Sequence, residues 1–174
     1  MKILVICCSL HPGSKSRRLA ARALARLEST GADVRMIDLV DHRLPPCDGG
    51  AAYGDPMAVE MKAAVKEAHA AILAFPIYNY DANSSFKNMM ELTGDAWTGM
   101  TVGMTCAAGG KGSYMAPMQV ANSLMLDFRT LILPRFVYAT GEAFGEQHIT
   151  DDHLIDRLNL FSDEMNRVTE ALKA

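Results

Sequence analysis

Long apolar segments, paired cysteines and surplus basic charge are all missing from this chain. The longest apolar run near its start, residues 3–8, is too short for a signal-peptide core and far too short to cross a bilayer. The four cysteines (Cys7, Cys8, Cys47 and Cys106) contain no CxxC pair and no Cys/His spacing suited to zinc. They are expected to be free thiols in a reducing cytoplasm, where the sequon Asn83-Ser84-Ser85 has no meaning. Seventeen Lys+Arg against 20 Asp+Glu leave a net charge of −3. A dedicated nucleic-acid binder is expected to carry a net basic domain or stripe, so neither nucleic acid nor membrane is an expected partner.

Several catalytic signatures are missing too. No GxxxxGK[ST] occurs, since Gly110-Lys111 is followed by Gly112, and no GxGxxG follows the first apolar run. A P-loop NTPase and a Rossmann dinucleotide site at the first turn are therefore disfavoured. There is no GxSxG elbow for a hydrolase. His148 and His153 flank Asp151 and Asp152, but adjacent acids at a helix start suit the helix dipole and water better than a metal. No metal ligands and no catalytic side-chain acid–base pair are expected.

What remains is an ordinary globular composition, 49% hydrophobic and 21% charged. At ~150 residues per domain, residues 1–174 are expected to form one domain. Short apolar, β-branched runs alternate with helical periodicity. Strands are predicted at 2–8, 33–39, 70–75, 101–107 and 131–139, the last weakened by Pro134 into an edge or a bulge. Helices are predicted at about 17–29, 57–68, 85–93, 114–128 and 151–173, the last opening on Thr150 as a candidate N-cap. Five strands alternating with five helices imply an α/β fold, a three-layer, doubly wound, five-stranded parallel sheet. The one long connection, 40–56, is rich in Pro and Gly. Arg18, Arg22 and Arg26 share a helix face that either meets water or attracts an anion. Twelve methionines, seven of them between 89 and 125, either fill the core or make a pliable apolar surface. Trp97 belongs to the core or to an interface.

In such a sheet, ligands bind beyond the carboxyl ends of the strands. The loop Ser9-Leu10-His11-Pro12-Gly13-Ser14-Lys15-Ser16 places hydroxyls at a helix start. Backbone N–H groups and the helix dipole favour an anion there, although Ser14 or Ser16 also suits a plain N-cap. Two aromatics beside amides, in Pro76-Ile77-Tyr78-Asn79-Tyr80, stand at the third strand's end. They suit either a flat heteroaromatic ring or an ordinary polar loop. Ala108-Gly109-Gly110-Lys111-Gly112 is either a flexible turn or a place where backbone approaches a ring closely.

Taken together, these three loops, with Phe86-Lys87-Asn88, resemble the FMN-contacting loops of the NADPH-dependent FMN reductase family. That family has the flavodoxin-like fold and includes quinone, chromate and azo-dye reductases. The resemblance covers essentially the whole chain and implies strand order 2-1-3-4-5. It implies that Ser9, His11, Ser14 and Ser16 hold the FMN phosphate. Pro76, Ile77, Tyr78 and Asn79 would line the ribityl chain and ring edge, and Ala108, Gly109 and Gly110 the pyrimidine end. It further implies NADPH or NADH as reductant, a small-molecule electron acceptor such as a flavin or quinone, and a homodimer or homotetramer. Flavin carries the hydride chemistry, so no triad is required. The alternative is a flavodoxin-type electron carrier without NAD(P)H activity. Cys8, His11 and Ile77 depart from the family's usual Gly, Arg and Glu. A histidine is charged only when protonated, with an ordinary pKa of about 6.5, so the phosphate contact is expected to be weaker or more pH-dependent.

Overall fold

A computed structural model of the chain describes residues 1–172. The sheet is built from β1 (Lys2–Cys7), β2 (Asp33–Asp38), β3 (Ala70–Tyr78) and β5 (Thr101–Ala108), with a fifth position shared by β6 (Leu131–Ile132) and β7 (Val137–Thr140). All of these pair in parallel in the order β2-β1-β3-β5-β6, and β7 extends the same edge along β5. This is the expected 2-1-3-4-5 order of the flavodoxin-like fold, with helices on both faces. The two-residue β4 (Asp81–Ala82) folds back antiparallel on β3.

The period-2 geometry of β1 shows how both faces become buried. Leu4 and Ile6 join a core with Met61, Val65, Phe86 and Leu124 under α2 (Pro56–Glu67), α3 (Ser84–Thr93) and α4 (Pro117–Phe128). Ile3, Val5 and Cys7 point the other way, towards Leu19, Leu27, Leu158 and Phe161 of α1 (Lys15–Ser29) and α5 (Asp152–Ala171). Strands buried on both faces read as unbroken apolar runs, which is why they were legible.

Several boundaries differ from expectation for identifiable reasons. β3 runs through Pro76 to Tyr78, because β1 stops pairing beyond Ala74, β5 continues beside it to Pro76, and β4 pairs with Ile77 and Tyr78. The fifth strand is interrupted at Pro134, which has no N–H for a ladder. Residues 111–113 form a separate 3-10 turn, so α4 starts at Pro117 rather than at 114. Asp151, not Thr150, caps α5, its carboxylate accepting from the His153 and Leu154 N–H groups. The predicted helix end at 173 lies outside the described residues.

Arg18, Arg22 and Arg26 neither face water freely nor wait for an anion. Arg18 donates to the Gly145 and Glu146 carbonyls, Arg22 to Asn159 Oδ1 and Arg26 to both oxygens of Asp163 at 2.8 Å. Arg22 and Arg26 fasten α1 to α5, and Arg18 fastens it to the connection before α5. Met89, Met90, Met100 and Met104 fill the core, whereas Met115, Met118 and Met125 are exposed around α4. Trp97 is fully buried and donates to Thr93 Oγ1.

The 40–56 connection is held rather than loose. Asp48 accepts from the Gly50 and Ala52 N–H groups, which pulls its carboxyl below the usual range. Asn88 of α3 accepts from the Cys47 N–H and donates to the Pro45 carbonyl.

Two expectations follow from this packing. A Cβ at Gly103 on β5 would lie 2.6 Å from Phe161 Cζ, so Gly103→Ala is expected to destabilise by ~1–3 kcal/mol in urea unfolding. Asn88→Ala removes both clamps, at about 1 kcal/mol each. It is expected to speed amide exchange and proteolysis around residues 45–48, whereas unchanged local exchange would show that the clamps do not hold the loop.

Candidate functional site

The carboxyl ends of β1, β3 and β5 meet at one rim, and the start of α1 faces it. The chain leaves β1 through a tight loop organised by its own polar groups. The buried Ser9 hydroxyl accepts from the His11 N–H, and the Gly13 N–H donates to His11 Nδ1 at 3.1 Å. That bond assigns the neutral ring its proton on Nε2. Ser14 is the N-cap, its hydroxyl accepting from the Arg17 N–H. The Cys8 carbonyl accepts from both Asn83 Nδ2 and Ser85 Oγ, tying the loop to the start of α3.

Ser16 is different. It is fully buried, and its Oγ has no hydrogen-bond partner. Leaving a buried hydroxyl unpaired costs ~1–3 kcal/mol. It stands in the first turn of α1, where backbone N–H groups also lack intrahelical acceptors. No acidic residue occupies that turn.

His11, Ser14, Lys15 and Ser16 line one side of a cavity of about 200 Å³, and Pro76, Ile77, Tyr78, Ala107, Ala108 and Gly109 line the other. Eight of the eleven predicted site residues thus come together. Ser9 lies beneath the loop, Asn79 at the tip of the β3–β4 hairpin and Gly110 just past the cavity, so these three do not line it. A Cβ on Gly109 or Gly110 would meet nothing within 4 Å, so an open shelf continues from the cavity over this turn. Tyr138 fixes the turn from below, its hydroxyl donating to the Gly110 carbonyl at 2.6 Å. Two larger hollows flank the cavity at the same end. One of about 510 Å³ lies between Leu10, Leu39, Leu44 and Ser84, and one of about 590 Å³ between Lys111, Tyr138, Glu142 and Arg157.

The cavity residues missed by sequence reasoning are Lys15 and Ala107. Starting the helix at 17 concealed that Lys15 occupies its first position, directly after the cap. Asn79 and Tyr80 both adopt left-handed backbone, at φ 52° and 67°, and form the two-residue turn between Tyr78 and Asp81. Asn tolerates that region and a bulky tyrosine does not, so the usual Asn-Gly signal for this hairpin was missing.

Two of the cations near this rim, Arg17 and Arg18, are already engaged. Arg17 pairs with the buried Asp38 at 2.8 Å, and Arg18 holds the 145–146 carbonyls. Lys111 has no ion pair among the described residues and lies on the 590 Å³ hollow. Thiol chemistry is suppressed beside the cradle: burial pushes the Cys7 thiol up to about 11 and raises Cys8 well above the usual thiol range. Among the described residues no group of His, Cys, Asp and Glu could hold a metal, and no helix is long and apolar enough to cross a membrane.

The donor set fits a phosphorylated flavin. An orphaned hydroxyl, free helix N–H groups and a lysine suit a phosphate, and the glycine shelf beside the exposed Tyr78 suits a flat ring. No curated protein sequence matches the chain. Among solved structures it is similar to FerB, a flavoenzyme NAD(P)H:(acceptor) oxidoreductase from Paracoccus denitrificans. The TM-score is 0.79 at 19% identity, over 98% of this chain and 97% of that one. It is also similar to the apo form of the NADH:FMN oxidoreductase EmoB, with TM-score 0.75 at 20% identity over 94% and 87%. An archaeal flavodoxin aligns with TM-score 0.71 at 17% identity over 98% and 99%. Such identities establish the shared fold. The family model of the NADPH-dependent FMN reductases matches residues 1–145. The chain therefore belongs to the NADPH-dependent FMN reductase family, whose members are oxidoreductases that use FMN and NAD(P)H.

Proposed function

We propose that this chain binds FMN at the β1–β3–β5 rim and passes hydride from NAD(P)H through it to a small acceptor such as a flavin or quinone. The observation that carries this reading is the buried, unpartnered Ser16 hydroxyl on the cavity at the start of α1. A phosphate oxygen there would accept its proton and those of the neighbouring N–H groups. Ser14, already the cap, and His11, with an Nε2–H free, would border the same anion.

Bound flavin supplies the hydride chemistry at its ring. The chain's part is position and access. Pro76, Ile77 and Tyr78 form one wall for the ester chain and ring edge, and Ala108 and Gly109 face them. Gly109 and Gly110 keep side chains off the shelf, so one ring face stays open to a reductant and then to an acceptor.

A homodimer or homotetramer is supported by Met115, Met118, Met125 and Leu126, exposed in and just before α4. Four unpaired cysteines support a reducing, cytoplasmic setting.

The visible spectrum of the purified protein, with and without added FMN and then with anaerobic NADPH or NADH, tests the reading. Bound flavin that bleaches with either nucleotide is the expected result. Bound flavin that does not bleach would point instead to an electron carrier like flavodoxin, and a protein that refuses FMN would remove the cofactor from the account. A second expected outcome separates site from scaffold. Ser16→Ala deletes an unsatisfied buried hydroxyl, so flavin-free protein should be stabilised by about 1 kcal/mol, with Tm up by roughly 2–4 °C. The same change should raise the FMN Kd by roughly tenfold. A lower Tm with unaltered FMN binding would make Ser16 a packing residue.

A further inference from the structure

The cradle as the family resemblance frames it carries little formal charge, and its usual arginine position holds His11. The structure places a permanent cation at the same cavity from a different position. Lys15, the first residue of α1, lines the cavity beside His11, Ser14 and Ser16. Its ammonium has no acidic partner among the described residues. It lies 5.7 Å from the centre of the Phe144 ring, within cation–π range, and a Cβ built on Gly141 would come within 3.0 Å of Nζ. Lys15 therefore spans from the first loop to the β7–α5 connection.

We infer that Lys15 is the charged phosphate ligand of this chain, held ready by Phe144 and Gly141 in place of the missing arginine. The inference rests on FMN occupying the cradle, and it assigns its phosphate selectivity to this residue. Three physical points support it. An ammonium with no carboxylate partner is free to pair with an incoming dianion, and such charge-assisted bonds are about twice as strong as neutral ones. The Phe144 ring holds the long side chain against the β7–α5 connection without neutralising it, which lowers the entropy cost of pairing. The neighbouring Ser16 hydroxyl is fully buried, unpartnered and on the same cavity, so an acceptor is called for there independently of Lys15. Arg17 and Arg18, the adjacent cations, are committed to Asp38 and to the 145–146 carbonyls and cannot substitute.

Riboflavin, which is FMN without its phosphate, gives the test. Dissociation constants for FMN and riboflavin are measured at pH 8, by flavin fluorescence, on wild type, Lys15→Gln, Lys15→Arg and Phe144→Leu. Lys15→Gln is expected to weaken FMN roughly tenfold and leave riboflavin unchanged. Lys15→Arg is expected to retain most of the FMN preference, and Phe144→Leu to lose a part of it. In wild type, added salt should weaken FMN and spare riboflavin. An unchanged FMN-to-riboflavin ratio in Lys15→Gln, or FMN binding indifferent to salt, would overturn the role of Lys15 while leaving the flavin site standing. Wild-type protein that binds neither flavin would overturn the flavin reading itself, and this inference with it. Lys15 is exposed, so the variants are expected to keep the far-UV spectrum of the parent.

Discussion

The structure depends on a buried and unsatisfied hydroxyl, that of Ser16, in the first turn of α1. A helix start leaves N–H groups without intrahelical acceptors, and α1 adds the orphaned Ser16 hydroxyl to that deficit. Such a turn persists only if the rest of the helix is held independently. That hold comes from two sides. Leu19, Ala20, Ala23 and Leu27 are buried in the core beneath the sheet, and the arginine stripe fastens the helix to α5 and to the connection before it. The site is therefore organised before any ligand arrives, the condition under which fixed dipoles bind an anion without reorganising.

Charge is distributed along the chain with the same economy. Six basic residues fall between 15 and 35, and four of them (Arg17, Arg18, Arg22 and Arg26) are used on protein partners. Arg17 neutralises Asp38, which is only 5% exposed and would otherwise leave a buried carboxylate unpaired. The Arg26–Asp163 pair is more exposed and screened by solvent, so its value lies more in fixing the register of α1 against α5. Structural use of these arginines leaves Lys15 as the lysine or arginine that lines the cavity. On the proposed reading, a phosphate there would meet N–H and hydroxyl donors together with that one ammonium.

The central strands β1, β3 and β5 were legible because they are buried on both faces and read as short apolar runs, whereas the edge strand β2 is half exposed and alternates. The strand order came from the family resemblance that the loops carry, since periodicity says nothing of which strand lies beside which. What stayed hidden was set by tertiary context. Pro76 argues against a strand until one sees that β1 has already departed from its side. Three arginines at helical spacing look the same whether they face water, an anion or Asn159 and Asp163 of another helix. Lys15 was concealed by a helix boundary two residues late, the commonest size of boundary error. At the site, the three loops could be named from sequence, but Asn79 and Gly110 could not be placed beside or beyond the cavity without the backbone.

The β3–β4 hairpin shows what the rim spends on its shape. Glycine would enter the second turn position without strain, yet Tyr80 sits there at φ 67°, in a region that costs a bulky residue ~1–2 kcal/mol. The strain is sustained because the turn is anchored at both ends. Ile77 pairs with Ala82 before it, and Asn83 donates to the Cys8 carbonyl after it. The same anchor ties the hairpin to the first loop, so the two walls of the cradle are held at a fixed spacing by the Asn83 amide and the Ser85 hydroxyl on one carbonyl. Tyr78 and Tyr80 remain about half exposed on that frame. Rigid backbone beneath exposed aromatic surface, facing a glycine shelf with no side chain on it, fixes where a flat ring can lie and leaves its outer face open. On the proposed reading, a site of this shape would select its resident ring closely and its second reactant loosely, since the second reactant would meet mostly the ring and little of the protein.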